Sequence, residues 1–160
     1  MSDGSVSIKG PLGSNSRSFN TDLMSVKAEN GRLNIEPVSE PPLEKKAANA
    51  AIAVRKQIEN DMAGVKAFFE IKMQSVYAHF PLTMEAGEGF LAIKNMLGER
   101  APRRARLFGN TKVEVKGQAL RLYGTSKDDV TQSARSIRQA CRVRRKDDRT
   151  FQDGIYYALE

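Results

Sequence analysis

A hexapeptide recurs in this chain, as IKGPLG at residues 8–13 and IKNMLG at residues 93–98, an offset of 85 residues. One short match carries little weight. The order of elements after each copy carries more: a turn-rich segment, a pair of short strands, a helix and a closing strand, in the same sequence both times. A chain written twice in this way is constrained to fold as two similar units, each with its own small core.

The elements are read from period and punctuation. In the first copy Leu33 and Ile35 alternate with Arg32, Asn34 and Glu36 after Asn30-Gly31, the dipeptide best suited to a tight hairpin turn. In the second, Val113 and Val115 alternate with Lys112, Glu114 and Lys116, and Leu120 and Leu122 come after Gly117. The first helix opens at Pro41-Pro42, ends at Gly64 and buries Ala47, Ala51, Val54 and Ile58. The second starts from Ser126 as N-cap, with Asp129 at the capping-box position, and buries Val130, Ala134, Ile137 and Cys141 at the same i, i+4, i+7, i+11 spacing. Phe69, Ile71 and Met73 close the first copy as a strand; Ile155, Tyr156 and Tyr157 close the second. The expected fold is α+β: two tandem duplicated domains, residues 1–78 and 79–160, each an antiparallel or mixed sheet packed with one helix, and YAHFP at 77–81 as hinge.

Charge separates the halves. Residues 1–79 hold 10 basic and 9 acidic side chains, whereas residues 80–160 hold 16 and 10, a net +6 that marks the second half as the one seeking an anionic partner. An apolar share of 40% lies well above the disordered range, so the chain folds. The single cysteine excludes an internal disulfide, and MSDGSVSIKG lacks the apolar core of a secretory signal, as expected of an intracellular protein. No run approaches the roughly 18 apolar residues of a membrane span, so no membrane partner is expected.

Catalysis finds little support. His79 has no nucleophile or orienting carboxylate near it in YAHFP, and a locally bonded hinge histidine accounts for it. Cys141 falls on the apolar stripe of the second helix, where a small core side chain is the sufficient reading. Gly87-Glu88-Gly89 lacks the third glycine and the strand-to-helix setting of a nucleotide loop and is read as a hairpin turn. Asp147, Asp148 and Asp153 are crowded by cations, which favours ion pairing over a metal. Neither cofactor nor metal is expected.

The basic clusters are the substantial signal. Arg100, Arg103, Arg104 and Arg106 fall within seven positions around Pro102, which opposes a continuous helix and points to a basic loop. Arg142, Arg144, Arg145, Lys146 and Arg149 come after the second helix, where some of them complement its negative end. Arginine's rigid fork suits phosphate, while a merely solubilising surface would be served equally by lysine. With Lys94, these residues form the candidate RNA-binding set.

The residues named so far also carry a resemblance. YAHFP, the segment LGERAPRRARLFGNTKVEVKG at 97–117, and the terminal spacing of Gln139, Val143, Lys146, Arg149, Phe151, Asp153, Gly154, Ile155 and Tyr156 are similar to the archaeal and eukaryotic branch of the large-subunit ribosomal protein number six family. The resemblance runs from Ile8 to Tyr156 and is strongest after Tyr77. It implies two copies of one α+β unit and a structural, non-enzymatic role in the cytoplasm, within the ribosome. It implies further that the second domain binds large-subunit ribosomal RNA near the sarcin-ricin loop and the stalk base, among neighbouring large-subunit proteins and close to translation factors. Asp153-Gly154 reads as a structural turn. Two departures stand out: only seven residues precede Ile8, so the first sheet is expected to be one strand short, and the basic residue the family places beyond Tyr156 is replaced here by Ala158, Leu159 and Glu160. An RNA-binding assembly or regulatory factor of the same fold, acting off the ribosome, is the alternative.

Overall fold

Short strands rich in alternating residues need a partner at once, and the first part of the chain supplies it through local hairpins. Strand β1 (Ser5–Gly10) pairs antiparallel with β2 (Gly13–Ser18), with Gly10 opposite Gly13 and Pro11-Leu12 as the turn. Strand β3 (Met24–Glu29) pairs likewise with β4 (Arg32–Pro37). The computed structural model describes residues 4–22, 24–29, 32–37, 44–78, 80–147 and 149–158. The Asn30-Gly31 turn, the Pro41-Pro42 helix entry, His79 and Asp148 lie outside the described residues.

Helix α1 (Glu44–Gly64) packs against β1, β3 and β4. Its anticipated stripe holds: Ala47, Ala51 and Ile58 are buried, as are Val6, Met24 and Val65, and Val54 is half-buried. Gly10 is required where the β1 turn meets the end of α1. A Cβ there would stand 2.6 Å from the Val65 Cγ2, and the Leu12 N–H donates to the Val65 carbonyl at 3.2 Å. The helix also brings a buried carboxylate, Asp61, to strand β2. Arg17 donates from Nε to its Oδ2 at 2.7 Å and from Nη2 to its Oδ1 at 3.2 Å, and Asn15 adds a third donor at 3.4 Å. These elements form one unit, residues 1–67.

The second unit, residues 68–160, holds two antiparallel sheets. One comprises β6 (Thr83–Gly87), β7 (Phe90–Lys94) and β8 (Arg103–Arg106) in that order. The other runs in the order β11 (Gly154–Tyr157), β5 (Phe69–Val76), β10 (Ala119–Gly124), β9 (Lys112–Lys116). Helix α2 (Lys127–Ala140) packs on β5, β8, β10 and β11. Ser126 caps it, its side chain accepting from the Asp129 N–H at 3.3 Å. Val130, Ala134, Ile137 and Cys141 join Met73, Leu91, Ile93, Met96, Leu120, Leu122 and Ile155 in a single core.

One strand changes owner. Phe69, Ile71 and Met73 were expected in the first domain; in the structure β5 is an interior strand of the second unit, with Leu122 opposite Ile71 and Ile155 opposite Ser75. The boundary accordingly falls at Ala67/Phe68 rather than at 78/79. Alternation gives a strand one apolar face but does not name its neighbours. Among the described residues the first unit pairs β1 with β2 alone, where the second pairs three strands β6, β7 and β8.

Removing one partner of a buried ion pair costs about 3–5 kcal/mol, and Arg17, with its side chain 21% exposed against 3% for Asp61, retains some access to water. Asp61→Ala should therefore cost about 3 kcal/mol in urea unfolding of the full chain. Arg55→Ala, which removes a pair exposed at both ends, should cost less than about 0.5 kcal/mol. Equal effects would remove Asp61 from the supports of the first unit.

Candidate nucleic-acid interface

Strand β8 is arginine-rich, and its pleat divides the arginines. Ala105 is buried, Arg103 half-buried, and Arg104 and Arg106 exposed. Register places Arg104 opposite Ala92 and Arg106 opposite Phe90, so Arg104 and Arg106 share the sheet face that also carries Phe90 and Lys94. The Arg104 guanidinium lies 5.4 Å from the centre of the Phe90 ring and that of Arg106 lies 5.3 Å from the Phe108 ring. Cation–π contact holds each charge in place without cancelling it. Lys94 on the same face is instead paired with Glu85 at 2.6 Å.

Arg103 faces the other way and works as a clamp. It donates from Nε and Nη2 to both oxygens of Glu99, at 2.8 and 2.6 Å, and from Nη1 to the carbonyls of Ala140 and Arg142, at 2.9 and 2.8 Å. Its side chain is only 15% exposed. The hydrogen bond from Arg103 is also the main reason the Glu99 carboxyl is held below the usual carboxylate range, with the charges of Arg103, Arg144 and Lys146 adding to the effect. That contribution to stability is present above the ordinary glutamate range and is lost as the pH falls through the lowered value. A basic loop of four arginines was expected around Pro102; Arg103, Arg104 and Arg106 instead lie in strand β8, because they pair with β7, and Arg103 ties that strand to the end of α2.

The same tie brings the two expected clusters together, because the carbonyl that Arg103 grips belongs to Arg142. Beyond it the chain bends through Arg145 in the left-handed region, φ 59°. Arg100, Arg144 and Arg149 are exposed, and the Lys146 ammonium lies 4.6 Å from the centre of the Phe151 ring. Asp147 serves the loop itself: its side chain accepts from the Arg149 N–H at 3.0 Å and its carbonyl from that of Phe151. Asp153 is buried and accepts from the Ala78 N–H at 3.1 Å, a structural role, but Asp153-Gly154 leads into strand β11 rather than forming the turn expected there.

Helix α2 adds cations that belong to neither sequence cluster. Arg135 and Arg138 stand three residues apart and, with Arg142, line a groove completed by Lys146, Phe151 and Tyr156. A second hollow shares Arg135 and Arg138 and reaches Phe108, the ring beneath Arg106. Their signal is present in the sequence as spacing: 135, 138 and 142 repeat as i, i+3, i+7, on a face beside the stripe of Val130, Ala134 and Ile137. Density of adjacent cations does not reveal a stripe spread along a helix.

Cys141 is the C-cap of α2 and is buried. Burial pushes its thiol up to about 11, against smaller opposite effects of a backbone hydrogen bond with Ile155 and the charge of Arg103. It is a core side chain.

Arg103→Ala should lower stability by about 2 kcal/mol, the order of a set of hydrogen bonds to charged groups, while Arg104→Ala and Arg106→Ala should each change it by less than about 0.5 kcal/mol. Thermal unfolding of the three variants checks this, and three equal shifts would refute the clamp. For Cys141 the folded value lies above the ordinary 9.0, so the protonated thiol's contribution is complete below about pH 9 and declines as the pH rises toward about 11. Cys141→Ala should flatten the loss of stability between pH 9 and 11 by about 2–3 kcal/mol relative to the parent chain. Parallel curves over that interval would contradict the assignment.

The family model described as Ribosomal protein L6 matches residues 86–154, which include β7, β8, β9, β10 and α2. The chain is similar to the large ribosomal subunit protein uL6 of Methanocella arvoryzae, 38% identical over 98% of this chain and 87% of the relative. It is similar also to that of Methanobrevibacter smithii, 39% identical over 98% and 86%, and to that of Archaeoglobus fulgidus, 36% identical over 92% and 74%. A resemblance of this extent spans both units, and the chain belongs to the ribosomal protein L6 family.

Proposed function

We propose that the protein is a structural, non-enzymatic constituent of the large ribosomal subunit, and that its second unit binds large-subunit ribosomal RNA. The observation that carries this reading is a band of cations on that unit: Arg104, Arg106, Arg135, Arg138, Arg142 and Lys146 have no carboxylate within ion-pair distance among the described residues. Like charges gathered without internal neutralisation repel one another, and a polyanion relieves the repulsion. The relatives' designation as large ribosomal subunit proteins supports RNA as that polyanion. The finer placement, near the sarcin-ricin loop and the stalk base with neighbouring subunit proteins and translation factors close by, rests on the family resemblance and is part of the proposal.

The proposal extends to the origin of the fold. The two units share an order of elements: β1 ends in IKG and β7 in IK, a second strand comes after each, then the β3–β4 and β9–β10 hairpins and helices α1 and α2. This order and the matched helical stripes support a tandem duplication. In the first copy the hexapeptide makes a two-residue turn; in the second it opens the longer connection, through the Met96–Gly98 turn, that carries Glu99 and Arg100 to β8.

Each phosphate contact contributes roughly 0.7 to 0.9 to the slope of log affinity against log salt, so about six contacts give a slope of about −4 to −5. Arg104→Ala with Arg106→Ala in the full chain should flatten it by about 1.5 units, with the far-ultraviolet circular dichroism unchanged. Gel-shift titrations against large-subunit RNA at several salt concentrations read the slope. An unchanged slope would make these arginines a solvated face. Sedimentation of the tagged protein tests the assembly: presence in mature large subunits is expected, and presence only with free RNA or precursor particles would establish the off-ribosome reading instead.

A further inference from the structure

The groove beside the end of α2 is lined by rings as well as charges. Its lining includes Arg135, Arg138, Arg142 and Lys146, and no carboxylate among the described residues. By contrast, the cations on the sheet surfaces are partly answered from within, Lys94 by Glu85 and Arg121 by Glu70 and Glu114. Phe151 and Tyr156 border the same groove. Tyr156 is 41% exposed yet held in place: its hydroxyl donates to the Gln152 carbonyl at 3.1 Å, and its ring lies across Gly154. A Cβ on Gly154 would stand 3.2 Å from the ring, tighter than nine in ten such contacts, so glycine there leaves the ring its place without a shift of a few tenths of an ångström.

A duplex backbone asks only for cations; a ring fixed in advance beside them offers something a duplex cannot use. We infer that this groove is a site for one unpaired nucleotide of the RNA, its base stacked on Tyr156 at the mouth and its flanking phosphates held by Arg135, Arg138 and Arg142. Base–aromatic stacking is nearly indifferent to base identity, because every base has a π-face. The ring's fixed orientation means that little side-chain freedom is lost on binding. The inference rests on the RNA-binding reading above and narrows it to a structural feature of the RNA.

The test uses the full chain and three RNA hairpins of equal length: one with a single bulged nucleotide, one with the same bulge lacking its base, and one fully paired. The bulged hairpin should bind about tenfold more tightly than either control, within the range that one stacked base supplies, and 2-aminopurine in the bulge should lose fluorescence on binding. Tyr156→Leu should remove most of that difference while leaving affinity for the paired hairpin unchanged, which separates loss of stacking from loss of fold. Equal affinity for all three RNAs, with unchanged fluorescence, would overturn the nucleotide site and leave the RNA-binding reading standing. Binding to none of them, across the salt range that preserves the fold, would count against both.

Discussion

The guanidinium of Arg103 fixes where the basic surface of the second unit can be. Strand β8 is the edge of its three-stranded sheet, and an edge strand of arginines would otherwise be free to fray. By holding Glu99 before β8 and the carbonyls of Ala140 and Arg142 at the end of α2, one side chain closes a triangle among loop, strand and helix. The bonds to carbonyls also answer acceptors that the helix leaves without partners at its C-terminal end. The exposed arginines then inherit their positions: Arg104 and Arg106 from the pleat of β8, and Arg142 from the end of α2.

Much of this was legible in the sequence because it depends on local rules. The α2 stripe, the Ser126 cap and the β9–β10 hairpin come from period and turn chemistry, and Gly117 takes φ 59° at the turn, where glycine carries no steric cost. The role of Arg103 was not legible, since nothing in a run of arginines says which one faces inward; only pairing with β7 sets that parity. Arg135 and Arg138 carry a legible signal of a different kind, because their meaning lies in helical spacing rather than in density.

The placement of β5 shows where such rules stop. Its apolar residues alternate as those of a strand must, yet the choice between the hairpin before it and the strands after it is made by long-range packing. Met73 and Ile71 meet Leu120 and Leu122 on one side, and Ile155 lies across from Ser75 on the other. The charge argument survives this reassignment, because β5 brings one acidic and one basic residue, Glu70 and Lys72, to the second unit.

An interface for a polyanion must keep its cations charged, uncancelled and still ordered enough to bind with little loss of entropy. Carboxylates would order them at the expense of the charge, as they do for Lys94 and Arg121. Aromatic rings order them and leave the charge in place, which is the arrangement of Arg104 on Phe90, Arg106 on Phe108, Arg138 on Tyr157 and Lys146 on Phe151. Two kinds of arginine environment within one short strand therefore separate two tasks. Arg103, held by four hydrogen bonds to oxygen acceptors, contributes to the fold. Arg104 and Arg106, resting on rings, stay exposed and unpaired with any carboxylate among the described residues, and the difference arises from a single step along β8.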